Sequence, residues 1–179
     1  MNKNLLTYFV AILYLCFSQD LTAQSSLQLF DAQLSYRKLD SKVWKKYEQH
    51  REKDKGMIAF MHNGIKDSTG ILVKPVISIV YERIEPKTLS VVQFAEMCRK
   101  RSQFTIYEQI DREDLNAVIY FYGYDNGMVH NLIVAYFVCN GNGIQVVADS
   151  TESVYSKVEY EIQRFIESVK IEALHRKEI

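Results

Sequence analysis

Excess charge is the first thing this chain lacks: 22 lysines and arginines stand against 22 aspartates and glutamates in 179 residues. Proteins that hold nucleic acid or anionic lipid usually carry a basic surplus that neutralises phosphates, so no general affinity of that kind is expected. Histidine is scarce, and His50, His62, His130 and His175 share no metal-ligand spacing, nor is there a Cys-x-x-Cys pair. His62 and His130 fall in predicted strands and are candidate neighbours, with Asp125 nearby; an ordinary strand histidine is the plainer reading. No resident metal and no cofactor are expected. A Gly-x-Ser-x-Gly elbow, a phosphate loop and a dinucleotide fingerprint are absent too, which removes the usual signatures of nucleophilic and nucleotide-dependent enzymes. The carboxylates Asp111, Glu113 and Asp114 fall in a turn between strands and read as solvated loop charges, not as a general acid and base. The sequence therefore predicts no enzyme and offers no catalytic residue.

Long apolar runs are missing as well. The most apolar stretch, Leu5 to Phe17, is roughly 13 residues, short of the ~20 that a membrane-crossing helix needs. Lys3 precedes it and Leu21-Thr22-Ala23 follows with a small residue at the end, so residues 1–23 read as a cleavable export signal that leaves Gln24 as the new terminus. Cys16 raises the alternative of a lipid anchor, but Tyr14-Leu15 before it are not the small residues such a site normally shows. A periplasmic or secreted chain with no integral membrane segment after cleavage is expected. Removing the leader takes away Lys3 and Asp20 and leaves the charge balanced.

Cysteine is nearly absent from what remains. Cys98 lies in a helical pattern and Cys139 ends a strand; in an oxidising compartment they have the option of one disulfide, the alternative being two packed free thiols. Trp44 is the single tryptophan, a packing anchor or a ligand-stacking residue.

The rest divides into an N-terminal segment (24–33), one domain (34–171) and a polar tail (172–179). Leu34 to Leu39 is a candidate first strand, and Lys45 to Lys55, with charges of both signs, is a solvated face or loop. Met57 to His62 and Ile71 to Arg83 are extended, joined by a long turn-rich loop; Pro75 marks a strand start, bulge or edge. Ser90 and Gln93 have capping-box spacing and Leu89 with Phe94 that of a hydrophobic staple, so a helix follows, with Val91, Val92, Ala95 and Cys98 as its buried stripe and Arg99-Lys100-Arg101 at its end. Phe104 to Ile110 alternates as a strand with one wetter face. Ala117 to Tyr124 and Met128 to Cys139 are apolar or aromatic on both faces, which places them mid-sheet. Asp125-Asn126-Gly127 and Asn140 to Gly143 are tight-turn signals, so residues 114–149 form an antiparallel meander ending in the strand Ile144 to Ala148. Asp149 and Glu152 have capping-box spacing before a closing helix that buries Val154, Val158, Ile162, Phe165 and Val169. Tyr120, Tyr122 and Tyr124 share one strand face, either as core with hydroxyls at the rim or as an aromatic recognition surface.

This order of elements resembles the PsbP-like family, which includes Mog-type and DcrB-type proteins. The resemblance is carried by Thr88 to Ala95, by His130 to Phe137 with Gly143 to Ala148, and by Tyr160 to Lys170. It implies an α+β fold, an α/β/α sandwich with a central, mostly antiparallel twisted sheet of about six strands and helices on both faces. It also implies a non-enzymatic role, binding an envelope or extracellular protein or stabilising an assembly. The candidate surface for that partner is Trp44, Tyr120, Tyr122, Tyr124 and His130; a small-ligand carrier with its pocket between sheet and helices is the alternative.

Overall fold

The structure, a computed structural model, describes residues 24–102 and 105–174. The expected export signal, Cys16 and His175 lie outside the described residues.

Twelve strands and two α-helices are described: β1 (Gln24–Gln28), β2 (Ala32–Arg37), β3 (Trp44–Arg51), β4 (Lys55–His62), β5 (Ile65–Lys66), β6 (Leu72–Val73), β7 (Val76–Arg83), α1 (Val91–Arg101), β8 (Thr105–Arg112), β9 (Ala117–Asp125), β10 (Val129–Cys139), β11 (Asn142–Thr151), α2 (Glu152–Glu167) and β12 (Lys170–Ala173). A seven-stranded sheet in the order β3-β4-β7-β11-β10-β9-β8 has antiparallel neighbours throughout. A second sheet, β1-β2-β12, is built by the N-terminal segment, the first predicted strand and the C-terminal end.

The expected α/β/α sandwich is corrected by this arrangement. Among the described residues strand (53%) far outweighs helix (20%), the main sheet has seven strands, and no layer of helices covers either face. On one face α2 shares its place with β2. Val158, Ile162 and Phe165 join Leu34 and Tyr36 over Trp44, Ile77, Ile79, Ile133, Ala135 and Ile144 in one core. On the other face α1 is the one helix among the described residues, burying Phe94, Ala95 and Cys98 against Val118, Tyr120, Tyr122, Leu132, Val134 and Tyr136. The sequence pattern did not foresee the second sheet because its strands are short and half polar, and a strand pair reads weakly when its partner is more than a hundred residues away.

Local signals explain the elements well. Ser90 Oγ accepts the Gln93 N–H at 3.2 Å and Gln93 Oε1 accepts the Ser90 N–H at 2.9 Å, the capping box expected for α1. Its buried stripe differs from the expected one. Phe94 joins Ala95 and Cys98 inside, while Val92 is exposed, because a 3.6-residue period starting at Val91 returns at 94–95 and 98. Cys139 and Asn142 are register partners, so Asn140 and Gly141 form a two-residue turn, both with positive φ (48° and 71°) as a type I′ hairpin requires. Pro75 sits between β6 and β7, where its missing donor costs no ladder bond.

The closing helix starts at Glu152 with Thr151 as N-cap and no side-chain capping bond. Asp149 is therefore not its cap, a correction with consequences for the site below. Val154, Val158, Ile162 and Phe165 are buried as expected, whereas Val169 is buried just past the helix end.

Candidate functional site

The two faces of β7 differ. Ile77, Ile79 and Tyr81 point into the core shared with α2 and are 0%, 0% and 2% exposed. The alternate residues Val76, Ser78, Val80 and Glu82 are half-buried. Register carries this second face across the neighbours: Met61 lies opposite Val76, Met57 opposite Val80, and on the other side Asp149 opposite Val76. Val147 and Gln145 on β11 are half-buried too, yet on β9 and β10 the same face is sealed by α1. Half of one sheet face is thus open, apolar in the middle and flanked by polar groups.

The boundary between covered and open halves is a groove of about 270 Å³. Its floor includes Tyr122, Tyr136 and Val147, and Cys98 and Arg101 of α1 form its wall. Arg101 reaches Glu82 at 3.7 Å, so the wall is tied to the open half by a solvent-screened ion pair.

The tyrosine row splits at this boundary. Tyr120 and Tyr122 are buried, 0% and 1% exposed, and are core, not a recognition surface. The Tyr120 hydroxyl donates to Glu96 Oε1 at 2.9 Å, and Tyr122 and Tyr136 share a 2.9 Å hydroxyl contact. Burial raises these phenols above the ordinary tyrosine range, so they stay protonated donors at neutral pH. Arg99 and then Tyr120 hold the Glu96 carboxyl below its usual range by hydrogen bonding.

Tyr124 is half-buried and does join a polar cluster. Its ring stacks on His130 at 4.4 Å, and its hydroxyl donates to Asp149 Oδ2 at 2.7 Å. Asp149 Oδ1 lies 2.8 Å from His130 Nδ1. A carboxylate there makes Nδ1 a protonated nitrogen. Nε2 is buried and has no hydrogen-bond partner. Burial, then the bond to Asp149, pushes the Tyr124 hydroxyl upward as well.

Of the residues expected to form one surface, Tyr120, Tyr122, Tyr124 and His130 share a sheet face but only the last two lie outside the sealed half. Trp44 is on the opposite face, 2% exposed, its Nε1–H donated to Glu161 Oε2 at 2.5 Å. His62 and His130 are not neighbours, since β7 and β11 lie between their strands, and the carboxylate beside His130 is Asp149 and not Asp125. Among the described residues no group of three or more His, Cys, Asp or Glu is placed to hold a metal.

Sequence reasoning missed Asp149, Tyr136 and the open face. The signal was present in β7, where Ser78 and Glu82 interrupt one face while Ile77, Ile79 and Tyr81 fill the other; a strand with one polar-flecked face reads as covered on one side only.

Cys98 and Cys139 are both free. Cys98 belongs to the core under α1 and Cys139 packs on the core of the other face, so the sheet stands between them and bridging would need backbone movement. Burial pushes the Cys98 thiol up to about 11. Each is expected to take one equivalent of alkylating reagent in denaturant without reductant, and Cys98 to react slowly in the folded protein through about pH 9. Thiol titration with peptide mapping checks both; a Cys98–Cys139 peptide would contradict this geometry.

No helix among the described residues is long and apolar enough to cross a membrane. No family model and no curated protein matches the chain.

Proposed function

We propose that the chain is an exported, non-enzymatic binding domain that takes an envelope or extracellular protein on the half of its sheet that α1 leaves uncovered. The observation that carries this reading is the contrast on β7, with one face sealed and the other presenting half-exposed Val76 and Val80, continuous with Met57, Met61 and Val147. Soluble chains bury such strips or use them, and a polar rim of Glu82, Gln145 and Asp149 around an apolar centre is the composition of a protein interface. The leader-like residues 1–23 and the resemblance to PsbP-like proteins support the compartment and the kind of partner.

Native methionines serve as probes. Met57 and Met61 lie on the open face, and Met128 is exposed in the turn between β9 and β10. Oxidative footprinting of the protein mixed with its own cell-envelope fraction is expected to protect Met57 and Met61 while Met128 oxidises at its free rate. Equal oxidation of all three with and without that fraction counts against the proposal.

The groove beside Cys98 and Arg101 supports a second reading, a carrier of a small ligand lying between α1 and the sheet. Native mass spectrometry distinguishes the two: a carrier retains a small molecule after purification, and a Val147→Trp substitution that fills the groove expels it.

A further inference from the structure

A second feature lies at the bulged edge of the main sheet, away from the groove. The ladder between β3 and β4 shifts register between Lys46 and Glu48, which leaves Tyr47 as an extra residue on the edge strand. Bulges bend a strand and increase its local twist. Lys45 and Lys46, consecutive residues that a regular strand sends to opposite faces, here both line one open cavity of about 450 Å³. Lys74, just before β7, lines it as well, with Tyr47, His62 and Asn63.

Its charge is one-sided. Three lysine side chains line it and no carboxylate is among the lining residues. Several arginines elsewhere have acidic neighbours, as in Arg83 with Asp31, Arg99 with Glu96 and Arg101 with Glu82. Lys45 and Lys74 have no partner among the described residues, and Lys46 Nζ contacts only the neutral Gln49 side chain. The carboxylate that acts on His62, Glu161, is held by the Trp44 N–H. His62 adds a donor: its Nδ1 accepts the Gly64 N–H at 3.0 Å, so the ring proton sits on Nε2. Burial holds His62 below its ordinary titration range, keeping it a neutral donor at neutral pH.

We propose that this cavity binds a compact dianionic oxyanion of the phosphate or sulfate type, free or as a monoester. Three lysines act as separate point charges, without the planar fork with which arginine grips a carboxylate. A tetrahedral dianion offers oxygens in three directions and neutralises two of the three charges, where a single carboxylate neutralises one. Tyr47, 65% exposed, and Met61 supply apolar surface for whatever an ester carries.

The test is calorimetric titration of the purified protein with inorganic phosphate, inorganic sulfate and glycerol phosphate, with ionic strength held constant by chloride. Saturable one-site binding of at least one of them is expected, weakened about tenfold or more in the K45Q/K74Q variant, a loss of the size that charge-assisted contacts support. K170Q, a neutralisation on β12, is expected to bind as the parent does. The lysines are exposed, so an unchanged Trp44 emission spectrum verifies that the variant folds. Equal affinity for phosphate and its ester supports recognition of the free oxyanion, and tighter binding of the ester supports an oxyanion delivered on a larger molecule. Absence of saturation with all three ions, or equal affinity in the parent and K45Q/K74Q, overturns the proposal. Met61 is shared with the open face, so partner docking there is read separately at Met57 and Val80, which do not line this cavity.

Discussion

Phe94→Ala is expected to destabilise the protein by about 3–5 kcal/mol, the range for removing a fully buried aromatic ring. Phe94 is 0% exposed and is the main attachment of α1 to the sheet. Its ring lies edge-on to Tyr136 at 6.1 Å and directly over Gly143, where an added Cβ would sit 2.4 Å from the ring. Ring and glycine therefore fit as a pair, and the alanine variant leaves a void that the flat strand beneath has no side chain to fill. Because α1 covers Tyr120, Tyr122 and Leu132, its loosening would expose that core while the core under α2 persists. Denaturant unfolding followed by far-UV circular dichroism and by Trp44 emission separates these events, since Trp44 reports from the opposite face. The helix signal is expected to fall before the tryptophan signal. A loss below about 1 kcal/mol, the average for an unremarkable substitution, would contradict the placement of α1.

Trp44→Ala carries the second large effect, also about 3–5 kcal/mol. The indole is the apolar end of an otherwise exposed edge strand. It joins the core under α2, donates to Glu161 on that helix and meets the His62 ring edge-on at 5.1 Å. Trp44→Phe retains most of the buried area and loses the N–H bond, so it is expected to cost nearer 1 kcal/mol. The pair discriminates between the two roles open to this residue from sequence. A ligand-stacking tryptophan would tolerate alanine in stability and lose binding; the buried anchor loses stability first. Thermal unfolding of the two variants decides it.

How much of this was legible beforehand differs by element, for physical reasons. The capping box at Ser90, the Asn140-Gly141 turn and the stripe Val154-Val158-Ile162-Phe165 depend on neighbours in sequence, and reading them required no knowledge of the tertiary structure. β9 and β10 were rightly read as covered on both faces, but the cause differs. They lie toward one side of the seven strands, and it is α1 above them, not a central position, that buries Tyr120 and Val134. The same shortfall produced the sandwich: one helix of 11 residues covers part of a sheet face, and no periodicity reports which part. Asp149 was misread because its spacing to Glu152 satisfies a local rule that the tertiary contact with Tyr124 and His130 overrides. The lysine-lined cavity brings Lys45 and Lys46 of β3 beside Lys74 just before β7, a juxtaposition that no local pattern reports.

The claim on which the functional account turns is that the half-covered face is where a protein partner sits. A photo-crosslinking residue placed at Val80 on that face, with a matched one at exposed Tyr160 on α2, measures it in cells producing the full chain. The account expects a discrete higher-mass adduct from position 80 and none from position 160. Adducts of equal intensity from both positions, or from position 160 alone, would contradict it.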